Sequence, residues 1–262
     1  MPDRLYTKFS CAVPGVPEGL NRAAFLLIAG YLFILPISHT TTIREILFLS
    51  LVGITLWSAW RHGLALHLPG AKAWAVYAAV ASLSLFYALN PIYSLKEIKA
   101  EIVYSLLTAL AAASWVGDKK TLSRLIWVLI IGNVFLIGFA VIEGVFAKIN
   151  GASVGQIAPL QIGVGKFSTY IITVVPFLLA QMLCTLKSRR AACLALLVLT
   201  AANLVALYFT GNRAGLLALF IESALLASLL WRYHIPLVKS KVLILSVVSL
   251  LLLSVALNFV VL

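Results

Sequence analysis

Charge is what this sequence is short of. Aspartate, glutamate, lysine and arginine make up 11% of its 262 residues, against 63% hydrophobic. A soluble domain keeps its surface in water with roughly 25% charged residues, so a water-soluble fold would need a surface that this chain cannot build. Cysteine is scarce as well. Cys11, Cys184 and Cys193 form no CxxC pair and no ligand spacing, which excludes a disulfide framework or a cysteine metal cluster. Four histidines, His39, His62, His67 and His234, are scattered along the chain, and no carboxylate stands near the His62/His67 pair. No metal site, nucleophile–base pair or cofactor motif can be read. The first twenty residues hold Asp3, Arg4, Lys8 and Glu18 and lack the apolar core of a cleavable signal. The first apolar segment therefore has to act as its own insertion signal.

What the sequence has instead is apolar residues in blocks, with a mean hydropathy of +1.08. The blocks run about 18–22 residues, the length that crosses a hydrocarbon core roughly 30 Å thick. Nine spans are expected, at about 22–37, 43–60, 73–89, 99–116, 123–146, 167–186, 191–209, 214–231 and 241–261. Barrel strands alternate apolar and polar residues over about 10 positions, a pattern these blocks do not show. The expected fold is an all-α polytopic membrane bundle, one transmembrane domain over residues 1–262. The chain stops on Val260-Val261-Leu262 without a polar cap, and we read it as the N-terminal portion of a longer protein.

The net charge of +12 does not point to nucleic acid, because the cations lie in short clusters between apolar blocks. With a cytoplasmic N-terminus, six of the 20 lysines and arginines face outward: Arg44, Lys96, Lys99, Lys148, Lys166 and Arg213. The other fourteen face inward, as the positive-inside rule requires. All six tryptophans, Trp57, Trp60, Trp74, Trp115, Trp127 and Trp231, fall near the cytoplasmic ends of spans, where an amphipathic indole prefers to sit.

Cations that face outward against this bias are the candidate site residues. Arg213 lies in Thr210-Gly211-Asn212-Arg213-Ala214-Gly215, a short turn between two spans. Its guanidinium presents a planar fork suited to phosphate oxygens, and the start of the following helix favours an anion at the same place. Alternatively, Arg213 snorkels to lipid headgroups and Gly211-x-x-x-Gly215 serves only helix packing. Lys96, Lys99 and Lys166 are candidates for recruiting an anionic lipid, or are solvated loop charges. Lys96 and Lys99 belong to a charged patch at a helix start, with Glu97 and Glu101. The glycine-rich loop before Lys166 is no P-loop, since Leu160 stands where the first glycine should be and Phe167 follows the lysine. Glu222 falls near mid-membrane and is either a proton-relay group or a structural hydrogen-bond donor. Asn133 and Asn203 are read as interhelical hydrogen-bonding residues.

Two stretches carry a resemblance. Ala88-Leu89-Asn90-Pro91-Ile92-Tyr93-Ser94-Leu95-Lys96-Glu97-Ile98 resembles the outer loop before the fourth span of the O-antigen ligase family. Thr210-Gly211-Asn212-Arg213-Ala214-Gly215 is similar to that family's arginine turn leading into an apolar helix. The resemblance implies a glycosyltransferase of the inner membrane, working on the periplasmic face. It would move a glycan from a polyprenyl diphosphate donor to a lipid A-core acceptor. No cofactor is implied, because the diphosphate is itself the leaving group, and Arg213 would stabilise the charge that develops on it. This sequence departs from the family by placing the glycine of the turn one residue late. The family's catalytic histidine lies on a large outer loop beyond the ninth span. The same superfamily includes O-antigen polymerases, and a multi-span transporter is the alternative from another class. Against the transporter, Pro176 breaks one span alone, without a matching partner in the other half.

Overall fold

The computed structural model describes residues 15–37, 40–68, 70–88, 90–98, 102–149, 163–185 and 190–232. All regular structure among them is helical. The helices are α1 (Glu18–Ile34), α2 (Thr41–His62), α3 (Ala71–Ser84), α4 (Pro91–Ile98), α5 (Tyr104–Trp115), α6 (Lys119–Ile149), α7 (Val164–Thr185), α8 (Arg190–Phe209) and α9 (Arg213–Arg232). A 3₁₀ turn, Leu85–Tyr87, extends α3. Four helical stretches are long and apolar enough to cross a membrane: Thr41–His62, Lys119–Phe146, Val164–Thr185 and Arg190–Phe209. The chain is a helical membrane protein.

Its outward surface agrees with that conclusion. Leu26, Leu194 and Val198 are each more than 60% exposed, on helices whose opposite faces are buried. In water such surface would cost about 25 cal/mol per Å² of apolar area. In a bilayer that penalty disappears.

Two stretches differ from expectation. Residues 91–98 form a separate helix, α4, because Asn90 caps it and Pro91 opens it. The Asn90 side-chain oxygen accepts the Tyr93 amide at 3.1 Å, and proline's fixed φ suits the first helical position. The regular α-helix of the span expected from residue 99 is only the 12 residues of α5, about 18 Å of rise. Lys99 and the expected ninth span, 241–261, lie outside the described residues. In contrast, α6 has 31 residues. It starts earlier than its apolar block because Asp118 caps it, accepting the Thr121 amide at 3.1 Å.

The described helices fall into two compact units, divided within α6 between Val128 and Leu129. In the first, α2 packs on α1 and α5. Ala24, Ile28, Leu51, Ala111 and Trp115 form its buried core. The Trp115 indole donates to Thr55 Oγ1 at 2.8 Å, and Thr55 passes the bond on to the Leu51 carbonyl at 2.7 Å. At the end of α2, Gly63 takes a left-handed φ of 66°, which glycine reaches at no steric cost.

In the second unit, α7 packs on α8 and α9. Phe167, Ile171, Val174 and Leu178 make up its fully buried stripe, at the three- and four-residue spacing of one helix face. Asn133 on α6 and Asn203 on α8, both fully buried, exchange side-chain amide bonds at 2.9 and 2.8 Å. This is the interhelical role expected for them. Asn203 also donates to the Leu199 carbonyl at 2.8 Å.

Candidate functional site

The turn between α8 and α9 is three residues long, Thr210 to Asn212. Each residue has a separate job. Thr210 is fully buried; its hydroxyl donates to the Leu207 carbonyl at 2.6 Å and accepts the Asn212 amide at 3.2 Å. Gly211 reverses the chain with a φ of 66°, a conformation that costs an ordinary residue roughly 1–2 kcal/mol. Asn212 caps α9: its side-chain oxygen accepts the Gly215 amide at 3.1 Å. That leaves the first two amides of α9 for an external acceptor.

The amide nitrogen of Asn212 points the other way and donates to Ser168 Oγ on α7 at 2.6 Å. Ser168 is fully buried and in turn donates to the Gly165 carbonyl at 2.9 Å. The starts of α7 and α9 are therefore tied side by side. α9 packs directly on α7, with its start against the start of α7. Two positive helix ends share one end of this unit.

Gly215 makes the close approach possible. A β-carbon there would stand 3.3 Å from Ile172 Cδ1 and 3.4 Å from Leu207 Cδ1. Ile172 sits four residues before Pro176, whose missing amide leaves the Ile172 carbonyl without its usual helical partner.

On this frame Arg213 is the first residue of α9 and Lys166 lies in the first turn of α7. Both are exposed. Arg213 has no hydrogen bond or ion pair among the described residues. The structure thus brings two of the candidate residues to one end of the second unit. Gly215 packs against Ile172 and Leu207, and Arg213 is exposed at the head of α9. Lys96 lies in the last turn of α4 in the first unit, exposed, and not at the start of a helix as expected. Lys99 is not among the described residues. Glu222 is partly buried on α9, and its Oε2 is enclosed without a hydrogen-bond partner among the described residues. No group of three or more His, Cys, Asp or Glu among the described residues could hold a metal ion.

Sequence reasoning missed Asn212 and Ser168. Asn212 carried a usable signal, an asparagine directly before the expected start of a helix. Ser168 carried none, since its partner is 44 residues away. No family model matches the chain, and no curated protein or solved structure shows significant similarity to it.

Proposed function

We propose that this protein is a membrane glycosyltransferase of the O-antigen ligase type. In this reading it crosses the inner membrane about nine times with its N-terminus in the cytoplasm. It takes a glycan from a polyprenyl diphosphate donor and passes it to a lipid A-core acceptor on the periplasmic face. The observation that carries the reading is the exposed Arg213 guanidinium, held by a rigid turn beside the α7 end that bears Lys166. Phosphate oxygens fit such a place, because the fork of the guanidinium and two helix ends all favour negative charge.

The chemistry assigns roles accordingly. An acceptor hydroxyl oxygen attacks the anomeric carbon of the donor glycan, and the bond from that carbon to the diphosphate breaks. The electron pair leaves on the diphosphate, where Arg213 and Lys166 stabilise it. In the family that the chain resembles, the hydroxyl proton goes to a histidine on a large outer loop. Lys96 and Lys99 recruit the anionic donor from the membrane surface.

The test is glycan transfer onto the lipid acceptor in membranes, with protein abundance measured in parallel. Arg213→Lys keeps the charge and loses the fork, so most transfer is expected to disappear while abundance holds. Arg213→Ala removes roughly 3 kcal/mol of transition-state stabilisation, which leaves no measurable transfer. Full activity in the lysine variant, or loss of protein in both, overturns the assignment. Supplying a second lipid-linked glycan as acceptor separates a polymerase from a ligase. Orientation is checked in a cysteine-free background with an impermeant thiol reagent. Ser94→Cys should label in intact spheroplasts and Lys120→Cys only after lysis.

A further inference from the structure

The first unit carries a charged surface of its own at one end. Four chain segments meet there. Val16 before α1, Leu64 after α2, Trp115 closing α5 and Leu125 in the early turns of α6 are buried in one cluster. The segment after α2 is pinned over the end of α5, where the His67 amide donates to Ser114 Oγ at 3.2 Å. From there the chain enters α3. The starts of α1, α3 and α6 and the ends of α2 and α5 are thereby gathered at one end.

That end is basic and aromatic. Arg61, Lys72, Lys120 and Arg124 are all exposed. Among the described residues there, the two acids are already engaged: Glu18 pairs with Arg22 at 2.6 Å, and Asp118 caps α6. Trp57, Trp60 and Arg61 share one face of the last turns of α2, at three- and four-residue spacing. The two indoles stand edge to face with centroids 5.9 Å apart, yet they are 52% and 82% exposed. Large indoles left outside beside exposed cations match the chemistry of a lipid interface. The ring lies at the headgroup–acyl boundary, and the cation reaches the phosphate.

We propose that this end of the first unit is a docking surface for the phosphates of anionic phospholipid headgroups. Arg61, Lys120 and Arg124 supply the cations, and Trp57 and Trp60 the ring contacts. The surface is independent of the glycan-transfer reading, because none of its residues belongs to that site.

The experiment uses the full chain in micelles titrated with brominated phosphatidylglycerol or brominated phosphatidylcholine, reading quenching of tryptophan fluorescence. The anionic lipid is expected to bind at least tenfold more tightly. Arg61→Gln, Lys120→Gln and Arg124→Gln should each reduce that preference about fivefold, the factor matching about 1 kcal/mol per interfacial cation. Arg61→Lys should keep most of it, and Arg190→Gln at the start of α8, exposed in the second unit, should leave it unchanged. Equal affinity of the native chain for both lipids overturns the proposal. So does retained preference in any two of the three glutamine variants. If Arg190→Gln costs as much as Arg61→Gln, the preference comes from overall charge and the surface is not a site.

Discussion

Asn212 and Ser168 are joined by a 2.6 Å hydrogen bond across 44 residues of sequence, and this contact ties the start of α9 to the start of α7. Its strength is measurable. Asn212→Ser keeps a capping oxygen but cannot reach Ser168, and Ser168→Ala removes the partner. Each is expected to cost about 0.6–1.5 kcal/mol in a mixed-micelle unfolding assay, the range for polar contacts between membrane helices. The double variant should cost clearly less than the two singles added. Strict additivity would show that the bond is not a coupling between the helices.

The two glycines of the turn should respond differently to alanine. Gly211→Ala forces a β-carbon into a left-handed conformation, at a cost of roughly 1–2 kcal/mol. At Gly215 the new methyl meets the ends of the Ile172 and Leu207 side chains and the Cγ of the capping Asn212, which must give by a few tenths of an ångström, while alanine gains up to about 1 kcal/mol of helix propensity. A near-neutral Gly215→Ala and a strongly destabilised Gly215→Val are therefore expected, by the same unfolding assay. A harmless Gly211→Ala would contradict the turn geometry.

The Asn133–Asn203 pair tests whether a buried polar link is worth more than its absence. Asn203→Leu leaves the Asn133 amide without its partner, and Asn133→Leu leaves Asn203 only its bond to the Leu199 carbonyl; each is expected to cost about 1–3 kcal/mol. Replacing both by leucine should recover much of that loss. A double variant as unstable as the sum of the singles would mean that packing volume, and not hydrogen bonding, decides at this position.

Asp118 gives α6 a pH dependence. The hydrogen bond with Thr121 is the main influence holding its carboxyl below the usual range, opposed by partial desolvation and helped by the Lys120 amide and the Arg124 charge. A carboxyl whose folded pKa is lowered contributes stability above its unfolded value of about 3.9. That stability is lost as pH falls through the folded value. Asp118→Ala should lose about 1 kcal/mol at pH 7. Its deficit relative to the native chain should shrink below pH 4. A deficit that stays constant to pH 2 would show that the charge contributes nothing.

The sequence by itself determined that this is a helical membrane protein. Apolar blocks of spanning length with 11% charged residues leave only structures that satisfy their backbone groups internally. It also marked Arg213 and Lys166, because charges next to apolar spans are conspicuous, and by the same logic it marked Asn133 and Asn203 as interhelical hydrogen-bonding residues; that they bond to each other is the structure's finding. Helix starts were legible only where their caps were noticed. Asn90 and Asp118 each moved a boundary because a side-chain oxygen captured an amide three residues on. The tertiary structure decided which helix ends stand together. Bringing Lys166 next to the Arg213 turn depends on Gly215 admitting Ile172 and on Asn212 reaching Ser168. The gathering of the basic end of the first unit depends likewise on Trp115 packing with Leu64, Val16 and Leu125. Such contacts join residues tens of positions apart through shape and a few directed bonds. Local propensity and hydropathy are blind to them, since both are sums over neighbours along the chain.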